Sequence, residues 1–151
     1  MTRHLGAALA LALAGMLAAC GPEAPKPTTV ALSISAAEDA NGGAPTRVKV
    51  YYLTGASVFR SEDFFALFDE PSATLGEDLV EVDQYLLAPG EGATDLKVFE
   101  RAVPTVGVVA AFRDIDQPGW RAVTQLTPRG ENATTVGLTG NTVTLEVAAP
   151  E

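Results

Sequence analysis

The only cysteine of the chain, Cys20, stands in Leu17-Ala18-Ala19-Cys20-Gly21-Pro22. A thiol can serve as nucleophile, metal ligand or point of covalent attachment. The first two uses need partners. The only histidine is His4, in the same N-terminal stretch. Beyond residue 20, neither a Cys-His nor a Ser-His-Asp system can be assembled. Zinc sites, which draw on Cys and His, lack their ligands for the same reason. Carboxylates remain. Asp114-Ile115-Asp116-Gln117-Pro118-Gly119 opens like a calcium loop, but the fifth ligand place is Pro118 and the twelfth is Gln125, and neither supplies a carboxylate. A glycoside hydrolase needs two carboxyl groups about 5–10 Å apart, and the sequence singles out no such pair. Gly90-Glu91-Gly92 follows a proline turn and lacks the spacing of a phosphate loop.

Covalent attachment is what the surroundings of Cys20 favour. Arg3 and His4 give a short basic start, Leu5 to Leu17 is an unbroken run of Leu, Ala, Gly and Met, and two alanines follow. This is the three-part layout of a secretory leader. The run has 13 residues, short of the roughly 20 that a membrane-spanning helix requires. Leu17-Ala18-Ala19-Cys20 resembles the bacterial lipobox. That resemblance implies a diacylglyceryl group on the Cys20 sulfur, cleavage before Cys20 and acylation of the new amine. Two or more acyl chains anchor a protein stably where one does not. Gly21 follows the cysteine in place of Asp, which resembles an outer-membrane sorting signal. The expected organisation is a leader over residues 1–19, a lipidated Cys20 with a proline-rich tether over 20–28, and one folded domain over 29–151. No cofactor is expected beyond the lipid on Cys20.

The chain of 151 residues carries 10 Lys and Arg, one of them Arg3, against 19 Asp and Glu. The mature chain is therefore more acidic than the net −9 of the whole. Nucleic-acid binding needs basic patches, and docking on anionic lipid needs basic clusters. Neither fits. With no cysteine past residue 20, the domain must be stable through its core alone.

The elements beyond the tether read as β. Gly21 to Thr28 holds three prolines in eight residues and reads as an extended spacer. Val30, Leu32 and Ile34 alternate with small or polar neighbours, the period-2 mark of a half-buried strand. Glu38 to Thr46 is a loop broken by Asn41-Gly42-Gly43 and Pro45. Arg47 to Leu53 alternates again. Ser61 can cap a helix in which Phe64, Leu67 and Phe68 share a face, ended by Pro71. Leu79–Leu87, Asp95–Arg101, Val106–Phe112 and Trp120–Thr127 read as strands. Thr134–Leu138 and Thr142–Val147 form a hairpin. Asn132, in a glycosylation-like Asn-Ala-Thr, reads as part of a polar loop. Seven or eight short strands with one inserted helix are the pattern of a mainly β sandwich.

Several stretches are similar to one family. They are "VKVYYL" with Phe59 and "EDFFAL", "LGEDLVEVDQYLLAPGE", "GVVAAFRDIDQPGWR" and "GNTVTLEV". Together they resemble the type VI secretion system outer-membrane lipoproteins, the TssJ/VasD family, over nearly all of residues 20–148. The block from Gly107 to Arg121 is the most specific. The resemblance implies a transthyretin-like sandwich without enzymatic activity, held at the periplasmic face of the outer membrane by the Cys20 lipids. It implies recruitment of the periplasmic domain of the inner-membrane protein TssM, and a membrane complex that also contains TssL. In the family, the loop after the first strand contributes to the TssM contact. It falls here on Glu38, Asp39, Asn41, Gly42, Gly43, Ala44 and Pro45. Family members often carry a longer or more basic loop, so the position transfers and the contact chemistry does not.

Plainer roles compete at the motif residues. Trp120 reads as a core plug, Arg113 and Arg121 as partners of nearby acids, and Gly76 and Gly90 as turn residues. The glycines of the 38–46 loop predict mobility, and shortening it over Asn41–Ala44 should leave the domain folded. Two other functions stay open at this point. A binding module for a small ligand or glycan should show a concave pocket with convergent polar groups. A carboxylate hydrolase should show a cleft with a perturbed acid.

Overall fold

A computed structural model describes residues 21–148. The expected leader and Cys20 lie outside the described residues. Eight strands follow: β1 Thr28–Ala36, β2 Thr46–Leu53, β3 Leu79–Leu87, β4 Gly92–Phe99, β5 Thr105–Ala111, β6 Arg121–Gln125, β7 Glu131–Thr139 and β8 Thr142–Ala148. They form two four-stranded sheets, ordered β4-β1-β7-β8 and β3-β2-β5-β6. All pairings are antiparallel except β1 with β7.

Alternation explains the sandwich. Val30, Leu32 and Ile34 of β1, Val48 and Val50 of β2, Val106 and Val108 of β5, and Val136 and Leu138 of β7 all point between the sheets, fully buried. Tyr52 joins them and packs on Phe99, ring centroids 4.8 Å apart. β5 is apolar on both sides because its second face is covered too. Residues 54–78 lie over the outside of the second sheet as three short helices, α1 Ser57–Ser61, α2 Phe64–Asp69 and α3 Pro71–Leu75. Beneath them Tyr51, Leu53 and Val109 meet Phe59, Leu67, Phe68 and Leu75 in a second core.

Such short helices leave most of their backbone carbonyls without helical partners. The sheet supplies donors. The Tyr51 hydroxyl donates to Leu67 O at 2.8 Å, Lys49 Nζ donates to Phe68 O, and Arg121 donates to Phe59 O and Glu62 O at 2.9 and 2.7 Å. These cations sit at helix C-terminal ends, where the helix dipole favours positive charge. Burial in turn lowers the pKa of both Lys49 and Arg121.

Several local expectations are corrected. The expected single helix is three, and its cap is Asp63, which accepts from Ala66 N at 2.9 Å, not Ser61. The helix that carries Phe64, Leu67 and Phe68 ends just before Pro71, as expected, but Pro71 also starts α3, a first-turn place where its missing N–H costs nothing. Asn132 lies inside β7, 3% exposed. Its amide accepts from Thr127 N and donates to the carbonyls of Thr29, Thr127 and Gly130. Arg121 bonds carbonyls, not acids. Trp120 packs against both cores but is only half-buried: it meets Phe64 edge-on at 5.5 Å under the Arg121 guanidinium. The tether ends one residue early, since Thr28 already belongs to β1. Its hydroxyl donates to Arg101 O and accepts from Val103 N and Arg129 N.

Gly107 of β5 marks the tightest contact between sheet and helices. A Cβ there would lie 2.6 Å from the Phe59 ring, which is fully buried against Tyr51. Overpacking of this kind costs about 1–3 kcal/mol. Gly107→Ala should therefore lower the denaturant midpoint with an unchanged slope. A midpoint equal to wild type would show that the helical layer yields freely.

Candidate partner-binding site

Strand direction assigns every loop to one of two poles. β1 runs from the tether to the 37–45 loop. Residues 100–104 and 126–130 lie at the tether pole. The loops 37–45, 88–91, 112–120 and 140–141 meet at the opposite, distal pole. Nine residues of β1 at about 3.3 Å each separate the two.

The distal loop is built around Asn41. Its backbone is left-handed, φ 52°, and Gly42 and Gly43 follow at 61° and 81°. Asn adopts this region more readily than other non-glycine residues. The turn carries the Asn41 side chain inward, 3% exposed. There Oδ1 accepts from Arg113 N at 2.7 Å and Nδ2 donates to Pro45 O at 3.1 Å. The Asn41 backbone N–H donates to Gly140 O at 2.7 Å, and its carbonyl accepts from Ala44 N. One residue thus ties the first loop to the 112–120 and 140–141 loops. The 88–91 loop is tied separately: Gly90 N donates to Ala36 O. Gly90 has φ 79°, and a Cβ on it would lie 2.5 Å from the Glu38 carboxylate.

The seven loop residues expected to form a contact surface therefore divide. Glu38, Asp39, Gly42, Gly43 and Pro45 are exposed, whereas Asn41 and Ala44 are buried together with Ala40. The expected mobile loop is a tight turn over Ala40–Gly43, left-handed at Asn41 and Gly42 and tied by backbone hydrogen bonds from Ala40, Asn41, Gly42 and Ala44. Thr46, its expected last residue, already begins β2. Cutting out Asn41–Ala44 would remove buried groups and orphan Arg113 N, so that deletion is no longer expected to be neutral. Sequence reasoning missed the neighbours that complete the pole: Glu91, Arg113, Asp114 and Asp116, all exposed. With Glu38 and Asp39 they make an acidic rim holding one arginine. Only the run Asn41-Gly42-Gly43 signalled a special backbone.

Neither other function finds a matching site here among the described residues. An open groove lies at the tether pole, on the outside of the first sheet. The Asp95 carboxyl is displaced from its ordinary pKa. The Tyr85 hydroxyl and Leu96 N–H hold it low, the opposite of a general acid.

Comparison with known proteins agrees. The family model for "Type VI secretion lipoprotein, VasD, EvfM, TssJ, VC_A0113" matches residues 28–141. The T6SS lipoprotein TssJ1 from Pseudomonas aeruginosa superposes with a TM-score of 0.77 at 32% identity, over 83% of this chain and 99% of that one. A chain in a structure described as the T6SS protein TssM C-terminal domain from EAEC gives 0.64 at 29% identity, over 78% and 99%. A chain of a type VI membrane complex gives 0.66 at 30%, over 78% and 97%. No curated protein sequence matches the chain. With the family pattern running from the first residue of β1 to the turn before β8, on a sandwich shared with TssJ1, the chain belongs to the type VI secretion lipoproteins of the TssJ/VasD family, which are structural proteins and not enzymes.

Proposed function

We propose that this lipoprotein anchors the type VI secretion membrane complex to the periplasmic face of the outer membrane through lipids on Cys20. In this reading its distal pole receives the periplasmic C-terminal domain of TssM, within an assembly that includes TssL. The observation that carries the reading is the placement of tether and loop at opposite ends of β1. A domain hung from the membrane by residues 20–27 presents the 37–45 loop away from that membrane, toward a partner arriving from the inner membrane. The similar chains in a TssM C-terminal domain structure and in a type VI membrane complex support the same partnership.

The distal pole fits a protein partner. Its backbone is fixed by the Asn41 hydrogen bonds, so docking does not require the loop to be ordered, at roughly 1–2 kcal/mol per residue fixed. The exposed acids Glu38, Asp39, Glu91, Asp114 and Asp116 outnumber Arg113. The facing surface of the partner is then basic, and association weakens as salt rises.

Three outcomes test this. Cys20→Ser removes the only sulfur that can carry lipid, so the variant should incorporate no palmitate analogue and leave the membrane fraction. Wild-type protein that takes up no label would end the lipoprotein reading. Glu38→Lys with Asp39→Lys should weaken binding of the TssM periplasmic domain at least tenfold, about 1.4 kcal/mol, with an unchanged melting temperature. Equal affinities would move the interface off this pole. Asn41→Ala should cost about 1–3 kcal/mol of stability by leaving Arg113 N and Pro45 O unpaired. Asn41→Gly keeps the left-handed backbone and loses only the side-chain bonds, so it should fall between Ala and wild type in a denaturant titration. The order reversed would show that the amide contributes nothing.

A further inference from the structure

The two sheets are covered unequally. The helices cover the outside of the second sheet, whereas among the described residues nothing covers the outside of the first. On that bare face one row crosses all four strands: Leu96 of β4 beside Ala31 of β1, then Ala133 of β7, then Ala148 of β8. The next row toward the tether is Val98, Thr29 and Glu131. An open groove of about 470 Å³ lies among these residues. Leu96 is 63% and Val98 55% exposed, two of the four large apolar side chains left in solvent among the described residues.

The polarity of β4 is inverted for an edge strand. Its apolar Leu96 and Val98 face out, and its charged Asp95 and Lys97 face in. There Lys97 pairs with Glu81 and Asp83 of β3, and Tyr85 donates to Asp95 at 2.9 Å. Inward charges on an edge strand discourage sheet extension. They do not explain why the outward side is apolar. A lone exposed leucine needs no account. An uncharged row across the whole sheet, at one pole, does.

We infer that this corner of the first sheet lies against the lipid surface that holds the Cys20 acyl chains. The inference rests on the lipid-anchored reading above. Thr29, one residue into β1, is itself part of the corner. Thr28 is fully buried and fixed by its three hydrogen bonds, so the corner cannot swing away from the point where the tether leaves. From Cys20 to Thr28 the extended chain spans at most about 29 Å, and the exposed residues Gly21–Lys26 allow shorter approaches. Among the described residues the face carries no Lys or Arg, and its ionisable side chains are Glu131 and Glu146. Its contact is therefore apolar, at the headgroup and acyl boundary, and not electrostatic. The acyl chains supply the affinity. The corner supplies orientation, tilting the domain so that the distal pole faces obliquely away from the membrane.

The test uses lipidated protein reconstituted in phosphatidylethanolamine–phosphatidylglycerol vesicles. With the Cys20 sulfur consumed by lipid, Leu96→Cys offers one thiol for an environment-sensitive fluorophore. Ala148→Cys gives a second position on the same row, should the first disturb β4. Leu86→Cys, exposed on β3 near the distal pole, is the reference. Labels at 96 and 148 should be blue-shifted and quenched by spin-labelled lipid several-fold more than the label at 86. If the protein floats with the vesicles and all three labels are quenched alike, the inference is overturned while the Cys20 anchor stands, and the bare face is left to a protein partner. If the lipid-loaded fraction fails to float, both the anchor and the inference fall.

Discussion

The distal pole depends on one buried amide. Asn41 has left-handed backbone angles, is hidden from water, and must satisfy both ends of its side chain inside the protein. Unpaired, each buried group would cost about 1–3 kcal/mol. The partners that satisfy it, Arg113 N and Pro45 O, come from two loops, and its own N–H reaches a third at Gly140. Satisfying one residue thus fixes the relative position of three loops. The two glycines that follow are then a geometric requirement of the turn, not a source of mobility. They let the chain reverse quickly enough to return Ala44 to the interior and start β2.

The same accounting of backbone polar groups explains the helical layer. Helices of five or six residues make few internal bonds and are not stable alone. They persist because Lys49, Tyr51 and Arg121 project from the sheet to their open carbonyls while Phe59, Leu67 and Phe68 fill the space between. Gly107 is the complement of Phe59: the strand gives up a side chain so that the ring can lie flat on its backbone. Phe59 and Phe68 are consumed by this packing. Phe64, on the rim, extends it to Trp120.

Strands were legible because their information is local. Alternation over five or six residues says which face is buried, as in β1 and β7, and β5, covered on both sides, shows instead as a continuous apolar run. The lipid site proposed at Cys20 rests on information of the same kind, a short motif at a set distance from an apolar run. What escaped was everything whose partner is distant in sequence. Asn41 is satisfied from Arg113, Asn132 from Thr29, and the helices from Arg121, and no local pattern announces these pairs. Asn132 and Asn41 both resembled loop residues because a buried asparagine and an exposed one share a one-letter code. Asp63 displaced Ser61 as a cap through a finer version of the difficulty, since each stands before a short apolar run. Polar residues of β4 misled in the other direction: the inward Asp95 and Lys97 blurred the start of a strand whose outward side carries the apolar residues.

β1 has a mechanical place in the proposed anchor. It runs directly from the tether to the distal loop, and it lies inside its sheet, with β4 on one side and β7 on the other. Hydrogen bonds in a ladder run across the strands. A pull between the lipid and a partner at the distal pole is directed along β1, so it loads both ladders in shear, and the bonds must yield together. An edge strand loaded from one end would instead be peeled away bond by bond. The two ends of β1 are reinforced accordingly. Thr28 ties the tether pole to the chain at Arg101, Val103 and Arg129, and Asn41, just past the other end, ties the distal loops. In the proposed anchor the load therefore falls on a strand laddered on both sides, and the sequence behind this arrangement is an uninterrupted alternation from Thr28 to Ala36 with a polar anchor at either end.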